Sequence, residues 1–156
     1  MSSNSRFAVA VHAVTLLALS DGPVSSSAIA GSVSTNPVVI RRILGALHQA
    51  GLIHTQLGPE GGAVLARRPE EITLLDIYRA TGQSELFALP AHRPNPLCPA
   101  GRNIQPVLIP VLEQAEDRVQ TTLAAVTIAD LAGEIGQREH ARPAPTNYQP
   151  DLNTPN

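Results

Sequence analysis

Two groups of side chains in this sequence have types and spacings suited to chemistry. The first is Thr35-Asn36-Pro37-Val38, followed within one helical turn by Arg41 and Arg42. At the start of a helix, hydroxyl, amide and guanidinium donors can bind phosphate oxygens and reach base edges, and the free N–H groups of the first turn favour anions. Ser26 and Ser27, which open the preceding helix, are further phosphate donors. The second group is the single cysteine of Cys98-Pro99-Ala100-Gly101, just before a long helical pattern. There the positive end of the helix dipole and nearby Arg102 favour a thiolate that oxidants can attack. A lone cysteine has no resolving partner in its own chain. Its options are an intersubunit disulfide, a mixed disulfide with a small thiol, or an inert place in an exposed linker. No Ser/His/Asp set, paired carboxylates, HExxH or phosphate-loop pattern is present, and only His92 lies near Cys98 as a candidate base. The chain does not read as an enzyme.

The net charge of −2 over 156 residues suits a nucleic-acid binder poorly, but the average conceals an asymmetry. Residues 1–68 carry five arginines against Asp21 and Glu60, a surplus of +3, whereas residues 69–156 carry six arginines against eleven acids, or −5. This division suits a first half that meets phosphates and a second half that meets protein. All eleven basic residues are arginine, which base composition of the genome explains as readily as phosphate chemistry. The most apolar stretch, Phe7 to Leu19, is short and broken by His12 and Thr15, so no membrane partner is expected. The start lacks a secretory pattern and one cysteine cannot build a disulfide framework, so a cytoplasmic protein is expected.

These residues need elements to position them. Phe7, Ala10, Val11, Val14 and Ala18 recur at helical spacing, predicting a first helix from Arg6 to Ser20 that ends at Asp21-Gly22-Pro23. Ser25 to Ser27 supply caps for a short helix through Val33. Asn36 as N-cap and Pro37 at the first helical position predict a third helix that runs through Val39, Ile43 and Leu47 and stops at Gly51. A strand over residues 52–56, a turn at Gly58-Pro59-Glu60-Gly61-Gly62 and a returning strand over residues 63–66 make a hairpin. Two short helices followed by a glycine-rich hairpin form a winged helix-turn-helix, in which Gly58, Gly61 and Gly62 let the wing approach a sugar-phosphate chain.

A further helix is predicted over Pro69–Gly82, with Thr73 as its cap, then a proline-rich connection holding Cys98. Ile104, Val107, Leu108, Val111, Leu112, Ala115, Val119, Leu123 and Val126 follow at intervals of three and four, predicting one long amphipathic helix. Pro106 fits a first turn, and Pro110 should kink that helix or delay its start. Its stripe needs burial, and a two-fold related second chain supplies it, making Ile104 to Leu123 a dimer interface. The expected fold class is mainly α with a small β-hairpin wing. The expected organisation is a DNA-binding domain over 1–83, a connection over 84–101, dimerisation helices over 102–136 and a disordered tail over 137–156.

Taken in order, Ser5-Arg6-Phe7-Ala8-Val9, Ser27 with Ile29-Ala30, Asn36-Pro37, Ala50-Gly51-Leu52-Ile53, the Gly58 and Gly61-Gly62 turn and Ile72-Thr73-Leu74 resemble the Rrf-type bacterial transcription regulators. The resemblance runs from about Ser5 to Ala132. It implies a dimeric winged-helix repressor on duplex DNA, with a palindromic operator matching its symmetry. Relatives that hold an iron-sulfur cluster place several cysteines before the long helix, whereas this chain has Cys98 alone, with His12 at a position resembling a ligand in some of them. No cofactor or metal is therefore expected, and His12 reads first as a packed core residue. Some relatives also carry an arginine where this chain has Leu57. Two alternatives stay open: a protein-binding adaptor without DNA affinity, and an iron-sulfur regulator with atypical ligands.

Overall fold

Ala10, Ala13, Val14 and Leu17, spaced three and four apart, are all buried on one face of α1 (Ser3–Ala18) in the computed structural model, which describes residues 3–58, 61–82 and 86–142. This helix begins three residues before the expected start. Around it lie α2 (Ser26–Val33), α3 (Pro37–Gln49), a hairpin of β1 (Ile53–Gln56) and β2 (Gly62–Leu65), α4 (Leu74–Ala80), α5 (Pro99–Ala124) and α6 (Ile128–His140). The strands pair antiparallel, with Ile53 opposite Leu65 and Gln56 opposite Gly62. The architecture is the expected one, mainly helical with a single hairpin. Phe7 meets Tyr78 edge to face, with ring centroids 5.7 Å apart, closing the core between α1 and α4.

The predicted helix over Pro69–Gly82 is divided. A single 3-10 turn covers Pro69–Glu71, Ile72 is extended at φ −106°, ψ 112°, and α4 starts only after Thr73, whose hydroxyl accepts from the Asp76 N–H at 3.1 Å. The extended backbone lets the fully buried Ile72 side chain enter the core while its carbonyl accepts from the Ile128 N–H at 2.9 Å.

The long helix also departs from expectation. Pro99 at its first position starts it early, with Cys98 at the N-cap, so Pro106 and Pro110 both lie inside it rather than delaying it. It stops at Ala124, where the apolar spacing would have continued it through Val126. The Val126 carbonyl accepts from the Leu74 N–H at 2.9 Å, and a capping box between Thr127 and Asp130 begins α6. Hydrogen bonds from the Thr127 backbone and hydroxyl hold the Asp130 carboxyl below its ordinary value. This cap therefore supports α6 above the usual carboxylate range and is lost as acidification protonates Asp130.

Instead of extending away from the domain, α6 returns to it. Ile128 is fully buried among the residues of α1, α3 and the hairpin, so the reading domain expected to close at residue 83 draws on residues far beyond it. The helix also continues through His140, past the tail boundary expected at residue 137, with Arg138 paired to Glu134 one turn before it. The rest of that expected tail, residues 143–156, lies outside the described residues, as do Pro59 and Glu60 of the wing turn. Replacing Ile128 with Ala should remove about 3 kcal/mol of stability, within the range for cavity-forming core truncations, measured as a lowered urea midpoint at unchanged slope. Wild-type stability in that variant would show that α6 is not part of the cooperative core.

Candidate nucleic-acid interface

The turn between α2 and α3 is built from caps. Ser25 Oγ accepts from the Ala28 N–H at 3.1 Å, Ser34 takes the left-handed conformation at φ 58°, and the Thr35 N–H returns to the Ala30 carbonyl at 2.9 Å. Asn36 Oδ1 then accepts from the Val38 N–H at 2.8 Å, leaving its amide NH2 to donate outward. Ile40, Ile43, Leu44 and Leu47 are buried, so the opposite face of α3 presents Val38, Arg41, Arg42, Gly45 and His48 to solvent.

The wing stands beside that face. Val24 and Ala63 exchange two backbone hydrogen bonds of 3.0 and 2.9 Å, pinning β2 to the segment that leads into α2. The approach is close enough that a Cβ on Gly62 would come within 2.6 Å of the Val24 backbone, and one on Gly61 would collide with the Gln56 carbonyl. Gly58 has φ 114°, a conformation glycine adopts readily. Between α3 and the wing lies a groove of about 440 Å³, bringing together Ser26, Arg41, Gly58, Gly61 and Gly62 of the expected contact residues. Leu57 is fully exposed on its rim. Ser27 is exposed near the start of α2.

Three groups in this region were not anticipated. His48 lines the groove and its Nδ1 lies 3.1 Å from the Ile53 carbonyl, tying the end of α3 to β1. The ring of His54 is 6.3 Å away, edge to face. His48 sits seven residues after Arg41, so helical spacing alone could have placed it on the exposed face. The third group is Arg6, which lines a separate cleft with Arg42, a tertiary proximity that no local pattern encodes. Arg6, Arg41 and Arg42 take part in no ion pair among the described residues, whereas Arg67 pairs with Asp76 and Arg68 with Glu71. The hydrogen bond from the Arg68 side chain, more than its charge, holds the Glu71 carboxyl below the usual carboxylate range.

Along α5 no residue is buried within its own chain. Ile104, Val107, Leu108, Val111 and Val119 are exposed, while Leu112, Ala115 and Leu123 are half-buried. Cys98 is exposed, and its N–H donates to the Asn95 carbonyl at 3.2 Å. His12 is not a core residue: it is exposed on α1, with Nε2 2.9 Å from Ser32 Oγ.

A helix-turn-helix whose second helix shows an exposed cationic face beside a pinned hairpin defines the class, a winged helix-turn-helix transcription regulator. The chain belongs to the Rrf2 family, described as iron-dependent transcriptional regulators, whose profile matches residues 3–134. It is 40% identical over 133 residues to YwnA of Bacillus subtilis (strain 168), which is assigned as an HTH-type transcriptional regulator, spanning 85% of this chain and 98% of that protein. A crystal structure of a protein assigned DNA binding superposes with a TM-score of 0.66 at 34% identity, covering 81% of this chain and 97% of the other. IscR of T. potens superposes at 0.65 with 26% identity, covering 90% of each chain. The family is one of transcription regulators and not one of enzymes.

The family description names iron, but the donor set of this chain does not fit a cluster held within one subunit. It has a single cysteine, and among the described residues no three His, Cys, Asp or Glu side chains gather. No described helix is long and apolar enough to cross a membrane. Capping and outward donation by Asn36 can be separated by substitution. Asn36→Ala should lose about 1 kcal/mol of stability, whereas Asn36→Asp should keep the cap and weaken duplex binding on the order of tenfold by placing a carboxylate against phosphate. Thermal melts read the first effect and fluorescence anisotropy the second; equal duplex affinity in Asn36→Asp and wild type would assign Asn36 to capping alone.

Proposed function

We propose that this regulator is a homodimeric, sequence-specific repressor that binds a palindromic operator in the cytoplasm. One observation carries the reading: α3 turns Val38, Arg41 and Arg42 outward, with both arginines free of acidic partners among the described residues. Val38 and Arg41 meet base edges in the major groove, Thr35, Asn36, Ser26 and Ser27 hold phosphates, Pro37 sets the first turn between them, and the Gly58, Gly61 and Gly62 wing lies along the adjacent backbone. The unburied row Ile104, Val107, Leu108, Val111 and Val119, continued by Leu112, Ala115 and Leu123, supports a two-fold pairing through α5. Two reading heads so paired read half-sites related by the same symmetry. A dimer seated on such a site excludes other proteins from it, which is repression in its simplest form.

The exposed Cys98 at the start of α5 is the proposed input. Oxidation by a peroxide joins the Cys98 thiols of two chains, or one thiol and a small thiol, in a disulfide; the two sulfur-bound protons and the two electrons reduce the peroxide O–O bond to water.

The test begins with duplexes selected from a random pool by the full chain. Affinity for the selected duplex should fall roughly a thousandfold between about 50 and 200 mM salt, as arginine contacts release counterions. The paired change Val107→Asp and Val111→Asp should give monomers in sedimentation and lose the affinity gained from two half-sites. Cys98→Ser should bind as wild type and no longer respond to peroxide. A chain that enriches no sequence and shows no salt-sensitive binding would be an adaptor instead.

A further inference from the structure

Arg41 and Arg42 are adjacent in sequence but serve opposite flanks of α3. Arg41 lines the groove shared with the wing. Arg42 lines a distinct cleft of about 300 Å³ with Arg6 of α1, walled by Val39, Ile43, Ala46 and Thr81. The Thr81 hydroxyl is already committed to the Tyr78 carbonyl at 2.9 Å, so the two guanidinium groups dominate the polar character of the cleft. Both arginines are exposed, and neither has an acidic partner among the described residues. Guanidinium groups stay protonated at any working pH. Two of them on one cleft repel each other, and an anion held between them turns that repulsion into attraction.

The dimensions of a groove-bound helix say where such an anion lies. A helix with its side chains is about 10–12 Å across, and the major groove is about 12 Å wide. A helix lying there therefore has a phosphate backbone along each flank. On the wing side of α3 the cation is Arg41, and on the far side it is Arg42 together with Arg6.

We infer that Arg6 and Arg42 form a clamp for one backbone phosphate of the duplex strand on the flank of α3 away from the wing. This inference rests on the DNA-binding reading above. Two forked donors on one phosphate give charge-assisted hydrogen bonds that fix position and register without reading sequence. Inorganic phosphate has the same chemistry, so the experiment must distinguish the two sources.

Full-length wild type, Arg6→Ala, Arg42→Ala and the double variant are compared on the selected duplex and on unrelated duplexes across a salt series, with thermal melts to confirm folding. Each single change should weaken binding to all duplexes by about five- to tenfold alike and flatten the salt dependence by about one counterion. The double variant should be little weaker than either single, because both side chains hold one group. A neutral methylphosphonate moved along the flank should find one linkage per half-site that weakens wild type about as much as Arg6→Ala does and leaves Arg6→Ala unchanged.

Wild-type affinity and salt slope in the double variant would overturn the clamp while leaving the DNA-binding reading intact. So would a melting temperature raised by inorganic phosphate over chloride at equal ionic strength, lost in Arg6→Ala, with duplex binding unaffected; that result would assign the cleft to free phosphate. A wild-type chain with no salt-sensitive duplex affinity would overturn the DNA-binding reading itself, and the clamp with it.

Discussion

The rotation of α3 about its own axis is set by four side chains, Ile40, Ile43, Leu44 and Leu47, none of them more than 6% exposed. Burying each contributes about 1.5–3 kcal/mol, and a twist of one residue, about 100°, would expose half of them. While they remain in the core, Val38, Arg41, Arg42 and Gly45 have no choice but to face outward. The N-cap at Asn36 and the left-handed Ser34 decide where the helix begins, so axial position and rotation are set by different interactions. The wing depends on the same core indirectly, since Ile53 and Ala63 are buried in it and the Val24 pair holds β2 beside α2.

The core is completed from the far end of the chain. Ile128 sits in it, the Thr73 and Thr127 segments form a short antiparallel bridge, and α6 begins where α5 stops. The C-terminal half of α5 is tied down as well: Glu116 accepts from the Leu86 and Phe87 N–H groups at 3.0 and 3.3 Å, and Arg79 donates to Gln120 at 3.3 Å. In the proposed dimer, the separation of the two α3 helices follows from packed elements and hydrogen bonds instead of a loose connection. A dimer that must match half-sites about one helical turn apart needs that stiffness.

The parts legible in the sequence were those written locally. The Asn36-Pro37 start, the Gly51 stop and the glycine-spaced hairpin are short-range signals, and each element stands close to where it was expected. What was missed depends on partners distant in sequence. Val126 continues the apolar spacing of α5, but its carbonyl is claimed by Leu74, so the helix ends sooner. Ile72 reads as helical by composition and is drawn into extended backbone by its own burial and by Ile128. His12 is exposed on α1, which its apolar neighbours in sequence disguised. Arg6 showed no signal at all, because its relation to Arg42 exists only after α1 and α3 have packed.

The strongest physical support for a partner along α5 is what the helix lacks by itself. Helices owe most of their stability in proteins to burial of a face, and this one of 26 residues has no buried residue in its own chain. It also carries Pro106 and Pro110 in its interior. Each removes an intrahelical donor and costs about 3 kcal/mol against alanine, leaving the Arg102 and Pro106 carbonyls without their usual partners. Hydrogen bonds from Arg79 and the 86–87 segment are exposed and contribute about 1 kcal/mol each, too little to offset two prolines. Burying Val107 and Val111 alone against a second chain is of the right size, at about 1.5–3 kcal/mol per side chain, with Ile104 and Leu108 adding to it. In the proposed dimer, folding of α5 and association of two chains are coupled steps, and the reading heads are joined by an interface that exists only when both are present.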